Sequence, residues 1–318
     1  MNILEYQLAA PSSRGPYRDL AAWLRQLPSC PFTGQVERAL WAGFHADRLG
    51  YAFVGGYGAA LSRLVEHVGQ AQGLPAGRAF PERPLLPHVC LCATETGGAH
   101  PRSIATRVDK QGGALVLEGE KTFATLATVA DELLVVASRG VEADGKNRLR
   151  IVRVKPSAPG VEVVLRPATP FTPEIPHAIV RFKGVVVESD DMLPGDGYEQ
   201  WLKPFRTLED THVLAATVGY LQGAARAHGF GRDVSAELVS LSLSLIDVGA
   251  RDPAQPLTHI VLAGLFNATR RLVASLDAAW EKAPEDERAR WFRDRPLLAI
   301  AENVRSKRTE RAWALLSV

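Results

Sequence analysis

The spacing of apolar residues divides the chain into three stretches. Over residues 1 to about 85 apolar positions recur every three or four residues, and Leu20, Trp23, Leu24 and Leu27 line one side of a helix predicted over 17–27. Two more helices are predicted over 34–46 and 51–68. The last of these is dense in Gly55, Gly56, Gly58, Ala59 and Ala60. Small residues let backbones approach closely, and without a preceding strand and a G-x-G-x-x-G order they point to helix packing rather than a dinucleotide loop. Pro75, Pro81, Pro84 and Pro87 then break the helical period. From 88 to about 190 short alternating runs follow, at 88–93, 114–117, 133–138, 148–154, 161–165 and 179–187. Turns such as Gln111-Gly112-Gly113 and Asp144-Gly145-Lys146-Asn147 separate them, the pattern of an antiparallel barrel or sandwich. Helical spacing returns after Trp201, over 208–227, 236–248, 257–283 and 296–316. Leu257, Val261, Leu265, Ala268 and Leu272 form the stripe of a bundle helix. The fold class is therefore α+β: an N-terminal helical domain (1–87), a central antiparallel β domain (88–197) and a C-terminal helical bundle (198–318).

Composition narrows the function classes. Of 318 residues 46% are apolar and 23% charged, as in soluble globular proteins, and a formal charge of +2 gives no general attraction to nucleic acid or membranes. Arginines crowd the C-terminal region, but Glu285, Asp286, Glu287, Asp294, Glu302 and Glu310 alternate with them, which reads as a solvated helix face. Three cysteines are too few for a disulfide framework, and Cys90 and Cys92 have the spacing of same-face strand residues, so reduced, buried thiols are expected. The eight histidines form no ligand cluster with each other or with cysteine, and no G-x-S-x-G elbow is present, so neither a metal site nor a serine hydrolase is expected. No segment approaches the roughly 18 uninterrupted apolar residues of a membrane helix, and no basic-then-apolar leader opens the chain. A cytoplasmic location is the expectation.

The chemistry lies in two segments, Cys92-Ala93-Thr94-Glu95-Thr96-Gly97-Gly98 and Leu117-Glu118-Gly119-Glu120-Lys121-Thr122-Phe123-Ala124-Thr125. Each carries threonine hydroxyls at the exit of an apolar, strand-like run, where side chains and backbone N–H groups can meet a planar polar ligand. Taken singly, such threonines satisfy turns and Phe123 fills a core. Taken as a pair, the segments resemble the C-x-T-E-x-x-x-G-S-D and G-x-K-x-W-I-T motifs of the acyl-CoA dehydrogenase family. The segment 130–137, then Pro159-Gly160-Val161, then 180–187 and Met192-Leu193-Pro194-Gly195, follow in the family's order. The resemblance implies a shortened member with FAD as cofactor. Thr94 and the backbone of Ala93 and Glu95 would meet the pyrimidine edge of the flavin, Thr125 would reach N5 and Phe123, in place of the usual tryptophan, would flank the ring. It implies an acyl-CoA or other acyl thioester as substrate and an electron-transfer flavoprotein as candidate acceptor; a homo-oligomer is expected because a short bundle leaves apolar positions such as Leu297, Leu298, Ile300 and Ala301 needing cover. Glu95 and Lys121 sit where an ion pair is commoner than catalysis, and neither is given a catalytic role.

The base is the open element. No G-G-x-G loop follows Leu257, so the late-helix glutamate of most members has no counterpart here. A smaller group of members carries the glutamate ahead of an A-A-x-x-V-G stretch, and aligning Val218-Gly219 with that stretch gives Glu209. On a helix Glu209 shares a face with Val213, Ala216 and Tyr220, which would leave room for an acyl chain. The alternative is that Thr207 and Asp210 form a capping box and Glu209 is a first-turn acid whose pKa the helix dipole lowers. Asp210 stands where the family has arginine, Ala99-His100-Pro101 replaces G-S-D, and Gly229-Phe230-Gly231-Arg232 holds the residues of R-x-x-F-G in another order. A flavin-less, inactive relative acting as partner or scaffold is the reading from a different class, and oxygen activation on a retained flavin is a third.

Overall fold

The computed structural model describes residues 1–10, 14–27, 29–73 and 89–316. The proline-rich stretch expected to mark the first boundary lies outside the described residues. Four helices, α1 (Ile3–Ala9), α2 (Leu20–Gln26), α3 (Gln35–Phe44) and α4 (Leu49–Ala71), precede the sheet. Helix α1 was absent from the apolar pattern and is set by a local device: the Asn2 side chain caps the Glu5 N–H while the Glu5 carboxylate accepts from the Asn2 N–H.

Eight strands follow: β1 (Val89–Cys92), β2 (Arg107–Gln111), β3 (Ala114–Thr125), β4 (Glu132–Val141), β5 (Asn147–Val154), β6 (Val161–Leu165), β7 (His177–Val187) and β8 (Met192–Leu193). They form one sheet in the order β6-β7-β3-β2-β4-β5-β8, with β1 paired to β4. The expectation of a purely antiparallel sheet is corrected here. β1 runs parallel to β4, since the β2–β3 hairpin between them returns the chain to its starting direction. Alternation along β4 assigns its two faces: Leu133, Val135 and Ala137 join Cys90 and Cys92 in the interior of the sheet domain, while Leu134 and Val136 join the core shared with the helices. The two thiols are buried and their sulfurs lie 3.7 Å apart, unbonded, as their spacing implied.

After a π-helical turn over Gly197–Leu202 come α5 (Lys203–His228), α6 (Arg232–Ala250), α7 (Pro256–Ser275), α8 (Asp277–Trp280), α9 (Glu285–Asp294) and α10 (Glu302–Leu316). Helix α5 is the axis of the molecule. Its small residues meet those of α3 and α4 so closely that a Cβ on Gly43 would fall 1.9 Å from the Ala216 carbonyl oxygen, one on Gly219 2.1 Å from that of Leu40, and one on Gly56 2.7 Å from that of His212. The glycines of α4 thus serve helix packing. Helices before and after the sheet consequently share a single core, and Trp23, Trp41, Trp280 and Trp291 are all fully buried in it. The C-terminal pattern needs two corrections. The helix predicted over 257–283 breaks at Leu276, and its buried stripe is Thr258, Leu262, Leu265, Thr269 and Leu272, with Leu257 exposed. The arginines of α10 are not all on a solvated face: Arg305 and Arg308 both pair with Asp210 of α5, because α10 packs back across the bundle.

Candidate active site

The two threonine-bearing segments meet. Thr94 bridges antiparallel to Phe123, and the Thr122 N–H donates to the Thr94 carbonyl at 2.9 Å. Beneath this junction Glu95 turns inward and pairs with Lys121, Oε1 to Nζ 2.7 Å, and accepts from the backbone N–H groups of Ala105 and Thr106. Lys121, fully buried in mid-strand, also donates to the Val136 carbonyl at 2.6 Å. Burial pushes the Lys121 ammonium's pKa down and works against the Glu95 carboxylate as well, but the pairing overcomes it for Glu95, whose pKa is lowered. The pair is structural, as the residue types suggested. Above it Gly119 sits at φ +141, and a Cβ there would strike Thr106 at 2.6 Å. The Thr106 hydroxyl is buried, has no partner among the described residues and lines a cavity of about 300 Å³ with Thr96, Gly97 and Ser103.

On the outer side the ligand-facing groups stand free. Phe123 keeps 36% of its surface exposed, and Thr94 is half-buried with no hydroxyl partner among the described residues. Thr125 lies two residues from Phe123 on β3 and opposite His177 on β7, so all three side chains reach one face. The His177 ring stacks on Phe123 with centroids 4.2 Å apart, and its Nδ1 lies 3.2 Å from Thr125 Oγ1. The Arg166 guanidinium lies 5.4 Å from the Phe123 ring centre and donates to the Thr122 carbonyl at 2.6 Å. Burial and that guanidinium lower the His177 pKa to about 4, so the ring is neutral near pH 7. His177 was not singled out from the sequence, since only the β3–β7 register brings it to Thr125. Glu95 offers less than its motif position implied, because its N–H already donates to the Gly98 carbonyl at 3.1 Å and its carboxylate is consumed below.

The donor set fits the ring end of a flavin: an exposed aromatic face, one uncommitted hydroxyl on Thr94 and a second, on Thr125, held at the edge by His177. The Gly229-Phe230-Gly231-Arg232 segment does not belong to such a site. Gly229 (φ +63) caps α5, Phe230 packs edge-on against Trp280 and Arg232 starts α6, so these residues make the helix turn.

Glu209 stands on α5 well past its first turn. Pro204 sits at the head of the helix, and Thr207 lies inside it, its hydroxyl accepting from Arg308 Nη1 at 3.3 Å and from no backbone N–H, so the capping-box alternative is overturned. Glu209 is half-buried and takes no hydrogen bond or ion pair among the described residues, whereas its neighbour Asp210 is held by Arg305 and Arg308. Desolvation, reinforced by the Asp210 charge and opposed by Arg308 and Arg206, raises its pKa from 4.5 to about 7. The small residues that were expected to leave space beside it do not. Ala216 and Tyr220 are fully buried, the first against α3 and α4, the second against Trp280 and Trp291. Its charge reaches the buried phenol of Tyr57 on α4 and helps raise that pKa, and the Tyr57 hydroxyl accepts from the Leu91 N–H of β1 at 3.3 Å. One turn before it, Arg206 donates to the Ala99 carbonyl at 3.0 Å and ties α5 to the loop of the first motif.

An eight-stranded sheet set between two helical segments that share one core is an acyl-CoA dehydrogenase-like architecture. Residues 90–185 match the family model described as acyl-CoA dehydrogenase, middle domain. Benzylmalonyl-CoA dehydrogenase of Aromatoleum aromaticum is 33% identical over 141 residues, 43% of this chain and 35% of that protein, so the match spans about a third of its length. Among solved structures, butyryl-CoA dehydrogenase of Megasphaera elsdenii superposes with a TM-score of 0.67 at 15% identity, covering 98% of this chain and 89% of the other. The structure of the electron transferring flavoprotein of Acidaminococcus fermentans gives 0.66 at 15% identity over 98% and 88%. At such identities the superpositions speak to the fold. Residues 90–185 thus carry the middle domain of the acyl-CoA dehydrogenase family, within a chain whose overall fold is acyl-CoA dehydrogenase-like. No helix among the described residues is long and apolar enough to cross a membrane, and no group of potential metal ligands occurs among them.

Proposed function

We propose that the chain is an FAD-dependent oxidoreductase of the acyl-CoA dehydrogenase type, introducing a Cα–Cβ double bond into an acyl thioester. The observation that carries this is Glu209: a half-buried carboxyl with no partner among the described residues, its pKa raised to about 7, where a general base for a weakly acidic C–H is best placed. Glu209 takes the proton from Cα, and that C–H electron pair becomes the new π bond as the β-hydrogen departs with its own pair. Bound flavin supplies the acceptor for those two electrons. Thr94 and Thr125 would hold the ring edge by hydrogen bonds, and Phe123 would flank the ring and keep water from it. The Lys121–Glu95 pair keeps the first motif in register beneath them. An electron-transfer flavoprotein is the proposed acceptor for the reduced state, and three proposed units, 1–87, 88–197 and 198–318, would contribute to the site together.

The test is the visible spectrum of the purified protein, before and after loading with FAD, with anaerobic addition of a panel of acyl-CoAs. A retained flavin band that bleaches with one of them, and that persists unbleached in Glu209→Gln, supports the assignment. Absence of flavin after loading would sink it and favour the flavin-less relative, in which Thr94 and Phe123 are surface groups of a partner protein.

A further inference from the structure

We propose that His177 is a positioning residue that sets the direction of the Thr125 hydroxyl at the ring edge; this rests on the assignment of a flavin ring to the Phe123–Thr125 face. The argument is one of hydrogen counting. A threonine hydroxyl has one hydrogen and two lone pairs, and a neutral imidazole has one protonated and one bare nitrogen. Nδ1 of His177 lies 3.2 Å from Thr125 Oγ1, so exactly one of two arrangements holds. With the proton on Nδ1, the imidazole donates and the Thr125 hydrogen is free to point outward to an acceptor, which is what N5 of oxidised flavin offers. With the proton on Nε2, Thr125 donates to Nδ1 and presents only lone pairs, which suits the N–H that the reduced ring carries at the same position. The tautomer of His177 thus follows the oxidation state of the ring.

Two structural facts favour this use over simple packing. The stack on Phe123 at 4.2 Å fixes the imidazole plane, and the direct opposition of Thr125 and His177 across β3 and β7 fixes the hydrogen-bonding edge, so little rearrangement beyond a proton is required.

The experiment uses the full chain. Nitrogen-15 shifts of the His177 imidazole are measured without flavin, with oxidised FAD and after dithionite reduction, and the flavin midpoint potential is measured for wild type, His177→Phe, Thr125→Val and the double variant. His177→Phe keeps the stack and loses the hydrogen bond. Expected are an Nδ1–H tautomer with oxidised FAD that moves toward Nε2–H on reduction. Each single variant should change the ratio of affinities for oxidised and reduced ring about tenfold, about 30 mV for a two-electron couple, with no further change in the double variant. One tautomer throughout, or single-variant shifts that are absent or simply add, would overturn the proposal while leaving the flavin site intact. A wild-type chain that binds no FAD would instead remove the site itself, and the proposal with it. Should His177→Phe fail to fold, the imidazole shifts of wild type and the potential of Thr125→Val carry the test, and one tautomer throughout or an unchanged potential overturns the proposal.

Discussion

Replacing Glu209 by glutamine separates the base from its surroundings and can be followed without any cofactor. The carboxyl's pKa is about 7 in the fold against 4.5 for the free side chain, chiefly through desolvation. For an acid whose pKa is raised on folding, the associated stability is fully present below 4.5 and is lost as pH rises through about 7. At about 1.4 kcal/mol per pKa unit the loss amounts to about 3 kcal/mol, an upper value because the side chain is only half-buried. Glutamine cannot ionise, so the variant should lead wild type only slightly at pH 5, gain on it up to about pH 7 and keep a constant lead from about pH 8 to 9. For a chain of this size about 3 kcal/mol corresponds to a melting-temperature difference of about 4 °C. The assay is thermal unfolding of the flavin-free protein in buffers from pH 5 to 9 at constant ionic strength. Parallel wild-type and Glu209→Gln curves would refute the reasoning, since they would mean that water reaches the carboxylate and holds its pKa near 4.5. In the flavin-loaded protein the same variant should lower the rate of anaerobic bleaching by about 10²–10⁴-fold.

Other substitutions test the framework around that site. Lys121→Met leaves the Glu95 carboxylate buried beside Ala105 and Thr106 without its cation, and should destabilise the protein by about 3–5 kcal/mol in denaturant unfolding, with Glu95→Gln added to it recovering part of the loss. Gly219→Ala places a Cβ 2.1 Å from the Leu40 carbonyl and should lower stability by about 2 kcal/mol or more through separation of α3 from α5. Gly264→Ala on α7, where nothing lies within 4 Å, should raise it by about 1 kcal/mol; equal effects of the two would show that helix propensity and not close approach governs both. Asp210→Asn removes the negative neighbour that raises the Glu209 pKa and frees Arg308 to lower it further, so the midpoint of the Glu209-dependent stability change should move to lower pH.

Most of the architecture was legible because burial imposes a period. The strands at 133–138 and 148–154 alternate since one face lies in each core, and the i, i+2 cysteines share the inner face for the same reason. The second half of β3 was not legible. It carries Glu118, Glu120 and Lys121, and a buried lysine in mid-strand makes sense only once Glu95, 26 residues earlier, is seen to neutralise it. Strand β2 was hidden similarly, with only Val108 fully buried among charged residues. Of the candidate site, the motif residues Thr94, Phe123 and Thr125 were legible as a group that the fold brings together. His177, Arg166 and Tyr57 were not, because each arrives by strand pairing or helix docking across a long sequence separation.

Glu209 and Asp210 show how adjacent identical chemistry acquires different tasks. Consecutive residues on a helix point about 100° apart. Asp210 therefore faces α10 and is neutralised by Arg305 and Arg308, while Glu209 takes neither arginine and acts at a distance on the phenol of Tyr57, already engaged with Leu91. Had α10 presented its arginines one helical position earlier, Glu209 would be the paired carboxylate and its pKa would fall below the range useful for a base. Docking of α10 thus does more than complete the bundle. It keeps the cations on Asp210, leaves the Asp210 charge close enough to raise the pKa of Glu209, and lets one unpaired carboxyl persist beside the loop that Arg206 anchors at Ala99.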